Sequence, residues 1–248
     1  MFKKIILNLR DNWITYGFET LVVIVGILGA FALNNWNEER LARKQQVTTL
    51  KDLQSDLSKN QIALSEAIEL HKSQVVSQRT LLQILNGRDR TLTSDSLNNM
   101  VAYGLMYVGV YRPNETVIRS IVSSGNLSNI ASDSIKFLLT DWDAEMEDYK
   151  HMSAIIAKLV EDHIKPFLFE TYPIRNMRIY EELENDYPPL QDSRLGIEFD
   201  KMYNNLPFEN MVDLRRIDTQ GQANKLQDLK ALEQRILALI DVELQRLQ

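Results

Sequence analysis

The sequence predicts an all-α protein in which an N-terminal transmembrane helix continues into a long helix and packs within an extramembrane helical bundle. Three observations predict it. The run from Leu21 to Leu33 is apolar and carries no charge. It passes through Asn34, Asn35 and Trp36 into a heptad-like stretch that meets no Pro or Gly before Gly87. Beyond that, apolar residues recur at helical spacing, and no strand-like alternation competes with it.

The first of these fixes an anchor, and its length decides what kind. Leu21 to Leu33 alone is about 13 residues, the length of a signal-peptide core, and Ala30-Phe31-Ala32 is similar to a cleavage site. Against cleavage, the preceding segment is long for a signal and contains Glu19. Counted from Ile14 to Trp36, the segment has about 23 residues and reaches about 34 Å as a helix, enough to cross with Tyr16 and Trp36 at the two interfaces. The expectation is therefore a retained lipid-embedded anchor over 14–36, with Glu19 at headgroup level. Within it Gly26 and Ala30 lie four residues apart on one face with Gly29 beside them, a small-residue surface on which two anchors can pack closely.

Ahead of the anchor, residues 1–13 place Phe2, Ile5, Ile6, Leu9 and Trp13 at helical spacing, with Lys3, Lys4, Arg10 and Asp11 on the other side. This pattern predicts a short amphipathic helix on the membrane surface. Its lysines favour the cytoplasmic leaflet, and a long C-terminal domain translocates largely regardless of charge, so the C-terminal part is expected outside the cytoplasm.

Residues 37–248 are expected to form the bundle. Leu50, Leu53, Leu57 and Leu64 follow heptad spacing, a step to Ile68 shifts the phase, and Val75, Leu82 and Leu85 continue it, with Asn60, His71 and Gln78 on the same seam. From Trp36 to Leu85 this helix reaches about 75 Å, a stalk, and Asn86-Gly87 stops it with Gly at a left-handed position. A second helix is expected over about Asp95–Val108 and a third from Arg112-Pro113-Asn114 to Ser123. A fourth begins at Asp133, with Ile135, Leu138, Trp142, Met146, Tyr149, Ile156, Val160, His163 and Phe167 inward, and Pro166 should end or kink it. Tyr172 to Pro207, with Pro173, Pro188, Pro189 and Gly196, is the least regular region. The last helix runs from Phe208 to Leu247 with Leu226, Leu229, Leu232, Ile236, Leu239 and Leu247 inward, weakened locally at Gly221. The three long seams must bury one another. The expected order is that the first helix runs away from the membrane, the Asp133 helix returns, and the last runs out again.

Composition narrows the function classes. The 248 residues are 44% hydrophobic and 25% charged, which is globular rather than disordered usage. Formal net charge is −6; the acidic balance lies beyond the anchor and disfavours nucleic acid as a partner. With no cysteine, thiolate metal sites and a cysteine nucleophile are excluded. Asp148 and Glu147 lie three and four residues before His151, half of a carboxylate-bridged metal site, but a di-iron bundle needs two Glu-x-x-His motifs and further inward carboxylates. A solvated acidic face from Asp141 to Asp148 is the better reading, and no metal or cofactor is expected. His71 and His163 read as packed, register-setting residues. Ser123 and Ser124 before Gly125 lack the Gly-x-Ser-x-Gly turn of a nucleophile and read as a helix end. No phosphate loop is present.

The string ETLVVIVGILGAFALNNWNEE, followed at once by a charged helix, resembles an uncharacterised bacterial family of single-pass membrane proteins with an N-terminal GIL-then-NNWNE signature. SSGNLSNIASDSI, with Ser124, Gly125, Leu127 and Ile130, resembles its second recurring segment, and PFENM, Pro207 to Met211, a third. The chain departs from the pattern at Gly29, where an aliphatic residue is more usual. The resemblance implies a membrane-anchored protein of no assigned activity and carries over no catalytic residue. The functional expectation is a non-enzymatic helical scaffold or protein-interaction module of the cell envelope, in the inner membrane with its C-terminal domain in the periplasm. Its partners are the lipid bilayer and another protein or a second copy. The alternative is an extracytoplasmic ligand-sensing bundle that signals through a partner protein.

Overall fold

The first expectation that meets the structure is the single long helix. The computed structural model describes residues 13–87, 94–123, 127, 130–177 and 191–247. Helix α1, Trp13–Gly87, runs unbroken through the apolar run and the heptads; its 75 residues give about 110 Å. Gly87 is still helical rather than left-handed. The amphipathic segment before Trp13, the side chain of Tyr16, and Ser124 with Gly125 lie outside the described residues.

After α1 come α2 (Ser94–Asn99), a π-helical stretch over Met100–Met106, and α3 (Thr116–Ser123). Then follow α4 (Asp133–Leu159), a π-helical turn over Val160–Ile164, and α5 (Lys165–Thr171). A 3-10 turn at Ile174–Met177, the short α6 (Phe199–Tyr203) and the long α7 (Leu206–Leu247) complete the order. Ser132 starts α4 by accepting the Ile135 backbone N–H at 3.4 Å, the capping role a short hydroxyl side chain performs. Among the described residues there is no strand.

The order of helix directions differs from the expected one. Arg43 donates to the Leu247 carbonyl at 2.8 Å, Gln61 to Glu233 at 2.9 Å, and Gln78 to Thr219 at 3.2 Å, so α7 is antiparallel to α1 and returns towards the apolar segment. Helix α4 is antiparallel to α7, because Trp142 meets Glu233 and Ser153 meets Gln222. It therefore runs outward beside α1. The connector makes this possible. Gly104 sits at the level of Gln78, and Asn114 is clamped to Asn60 by reciprocal bonds of 2.8 and 3.2 Å. The 18-residue difference along α1 is about 27 Å, and ten residues of extended chain span about 33 Å. The stretch from Tyr107 to Glu115, which is not helical, thus travels back along α1, and α4 starts near where the bundle begins. Gly109 permits the close approach: a Cβ there would lie 2.6 Å from Leu70 Cδ2.

Residues from Gly17 to Gln45 are exposed, and burial begins at Gln46. The stalk is therefore short, because from Leu50 onward the inward side of α1 is packed in the bundle. Two apolar clusters form the core. One joins Leu50, Leu53, Leu57 and Leu64 to Trp142, Met146, Leu229 and Ile236; the other joins Leu81, Leu85 and Leu105 to Ile156, Val160, Phe208 and Val212.

The Pro166 expectation takes an unusual form. Proline has no N–H to give, and the helix adjusts one turn earlier: the Lys165 N–H bonds to the Val160 carbonyl, closing a π turn, and the helix continues to Thr171. A π turn inserts one residue into the helical phase. The fully buried positions accordingly fall at Ile164 and Leu168; Phe167 stays half-buried and stacks on Phe208 with ring centroids 4.3 Å apart, and His163 is exposed. The expectation that His163 is packed is thus corrected.

Candidate functional site

Two features stand apart from ordinary packing: the bare apolar part of α1, and polar layers inside the bundle. In the first, helix α1 is long and apolar enough to cross a bilayer, and none of its most apolar stretch is buried against the rest of the molecule. Gly26, Gly29 and Ala30 are all exposed, and beyond the surrounding turns of α1 itself none of the described residues comes within 4 Å of where a side chain at either glycine would begin. At its end the Arg40 guanidinium lies 5.8 Å from the centroid of the Trp36 ring, and Asn34 donates to Glu38 at 2.8 Å.

The second feature lies between the two apolar clusters. His71, Gln74 and Gln78 of α1 are buried there with Ser153 of α4 and Arg215, Thr219 and Gln222 of α7. Each occupies the inward stripe of its helix, and the packing of the three helices brings them together. The Gln74 amide donates to the carbonyls of Tyr103 and Tyr107, both at 2.8 Å, and the Gln78 amide donates to Gly104 at 2.7 Å. These bonds satisfy the carbonyls at the end of the π-helical stretch, where the helix leaves them without internal partners. With the Gln74 amide oriented by two carbonyls, its Oε1 accepts from His71 Nδ1 at 3.2 Å, which assigns the proton of the neutral imidazole to Nδ1. Burial holds His71 below its ordinary pKa, and the nearby Arg215 charge acts in the same direction against the Gln74 bond.

Arg215 is the most unusual member. It is fully buried, donates to the Tyr107 carbonyl at 3.1 Å and to Thr219, and burial lowers its pKa to about 10 against the weak pull of Asp218. Its Nε, together with the amide oxygens of Gln78 and Gln222, is buried without a hydrogen-bond partner.

One level nearer the apolar segment lies Glu233, also fully buried. Its carboxylate accepts from Trp142 Nε1 at 3.0 Å and Gln61 Nε2 at 2.9 Å. Both donors are neutral. Burial raises its pKa to about 7, and the hydrogen bonds only partly offset that. The Tyr111 ring sits beside it, with the hydroxyl outside hydrogen-bond geometry and its own ionisation pushed up, first by burial and then by the Glu233 charge. The Tyr111 backbone N–H donates to the Tyr149 hydroxyl at 2.7 Å.

The residues weighed for metal chemistry are not assembled. Asp148 and Glu145 both engage Lys225, and Glu147 engages Lys150 at 3.0 Å and Arg119 at 3.1 Å. His151 faces solvent. Among the described residues no group of three or more metal-ligating side chains converges. His71 and the Asn60 and Gln78 positions do lie inward, as the heptad seam required.

Sequence reasoning passed over Glu233, Arg215 and Gln222, because the inward side of the last helix is read there from its leucines and Ile236 alone, and charged side chains are rarely fully buried. A usable signal existed. Glu233 falls four residues after Leu229 and three before Ile236, and Arg215 falls three after Val212, so both interrupt an apolar stripe in phase.

No curated protein and no solved structure matches the chain. A family model does, over residues 19–157, a span that includes the bare apolar helix, the connector and most of α4, and ends before α7. The chain belongs to DUF6090, a family of unknown function.

Proposed function

We propose that this protein is a membrane-anchored, non-catalytic helical scaffold or protein-interaction module of the bacterial cell envelope, held in the inner membrane by residues 14–36 with its bundle in the periplasm. The observation that carries this reading is the apolar part of α1, which none of the other described elements covers and which continues without a break into the bundle. A water-exposed apolar face of that size is stable only against lipid or protein. The bacterial setting rests on the GIL-then-NNWNE resemblance, and the orientation on Lys3, Lys4 and Arg10 ahead of the anchor.

Alkaline phosphatase and fluorescent-protein fusions after Gln248 test both anchoring and direction. The expected result is active phosphatase, dark fluorescent protein, and a product that stays in the membrane pellet through an alkaline wash. A bright fluorescent fusion with silent phosphatase reverses the orientation; release into the wash removes the anchor.

The interaction role includes a second copy as a partner, through Gly26, Gly29 and Ala30. Gly26→Leu is expected to abolish the dimer signal in a membrane association assay, because a leucine on that face keeps two helix backbones apart. Ile24→Leu, on the opposite side of the helix, is expected to leave it intact. Equal signals from both variants and the parent would remove self-association from the reading.

A second reading, ligand sensing through a partner protein, is favoured by the polar layer around Arg215, whose buried Nε and neighbouring amide oxygens lack partners. Groups left in that state are costly in a purely structural core.

A further inference from the structure

Glu233 is held where a carboxylate is hard to keep ionised. It lies on α7 at the junction with α1 and α4, fully buried, and its two hydrogen bonds come from an amide and an indole. The charged and titratable groups on every side fail to compensate it. Among the described residues, α1 gives it a hydrogen bond from Gln61, whose amide also reaches the Lys230 carbonyl. From α4 come Trp142 and, behind Tyr111, Tyr149. From the connector comes Tyr111, while Glu115 is occupied by Lys150 and Arg119. On α7 itself the Lys230 ammonium turns away to Ser65 at 2.8 Å. We propose that Glu233 is a proton-binding site that makes the seating of α7 on α1 and α4 depend on pH: protonated, it closes the three-helix junction as a neutral hydrogen-bonded layer, and ionised, it places an uncompensated charge there.

The direction follows from linkage. Burial raises the carboxyl to about 7, whereas in the unfolded chain it titrates near about 4.5. Folding therefore takes up a proton between those values, so the contribution to stability is fully present below about 4.5 and is lost as pH rises through about 7. The folding equilibrium constant is expected to fall about 30-fold between pH 5.5 and 8.5 from this group. His71, held below its ordinary value by burial, acts in the opposite sense, since its contribution is lost as pH falls, and comparison with a variant at position 233 cancels it.

The test uses the full chain in detergent micelles, with unfolding followed by circular dichroism from pH 5.5 to 8.5 for the parent and Glu233→Gln. Glutamine keeps the shape and cannot ionise. The expected result is a fall in the parent of about 30-fold relative to the variant, with faster amide exchange around Leu229–Ile236 at pH 8.5 in the parent alone after correction for intrinsic rates. Parallel pH curves would overturn the proposal. Should Glu233→Gln fail to fold, infrared titration of the parent decides: a protonated carboxyl stretch that disappears between about pH 6 and 8 supports the site, and its absence across that range rejects it.

Discussion

Trp142→Ala is expected to destabilise the bundle by about 3–5 kcal/mol, the cost of emptying a large aromatic site in a packed core. Trp142 is 1% exposed and lies within the cluster that joins α1, α4 and α7. Its indole N–H is also one of the two hydrogen bonds to the buried Glu233 carboxylate, so truncation removes both packing and a donor. For a domain of this size the midpoint of thermal unfolding is expected to fall by about 10 °C or more. Trp142→Phe separates the two contributions. It keeps most of the volume and loses the donor, so about 1–3 kcal/mol is expected, together with a further rise in the Glu233 pKa, because that bond favours the ionised form. Circular dichroism melting of the full chain in micelles measures both. An alanine variant within about 1 kcal/mol of the parent would mean that Trp142 is not a core anchor of this bundle.

The second large effect concerns the bare apolar segment. Val25 and Leu28 are 60% and 62% exposed, so nothing in the bundle depends on them. Replacing a valine or leucine by arginine near the centre of a membrane helix costs about 3–4 kcal/mol of insertion free energy, and the double variant Val25→Arg, Leu28→Arg about twice that. Membrane retention is expected to be lost, with the protein moving from the pellet to the soluble fraction. The melting of the bundle is expected to stay unchanged, because the substituted side chains touch none of its core. The combination is what discriminates. Retention of the double variant in the pellet would show that another part of the chain holds it there, whereas a large drop in melting temperature would show that the segment packs on the bundle after all.

Helix α1 was legible because its evidence is local: an apolar run, Leu50 through Ile68 at inward spacing, and no Pro or Gly between Trp36 and Gly87. The same holds for the early part of α4, where Ile135, Leu138, Trp142, Met146, Tyr149 and Ile156 are all buried. Periodicity reports which side of a helix is apolar, and a helix must bury that side somewhere. It does not report against what, or in which direction. The direction of α4 was decided by the path from Gly104 to Asn114, a stretch with no helical period whose course depends on a glycine at Leu70, the Asn60 clamp and the Gln74 and Gln78 amides of a distant helix. The inward set beyond Val160 was decided by one extra residue in a π turn, which moved burial from His163 to Ile164.

The polar interior belongs to the same class. By itself the sequence determined the all-α class, the apolar helix and most of the core stripes, because these follow from side-chain hydrophobicity repeated at the period of one helix. Only the tertiary structure decided that α7 folds back beside α1 and that Glu233 and Arg215 are enclosed. A charged residue is buried when three separate elements close around it and supply its hydrogen bonds, as Gln61 and Trp142 do for Glu233 and the Tyr107 carbonyl and Thr219 do for Arg215, and no window along one helix contains all of those partners.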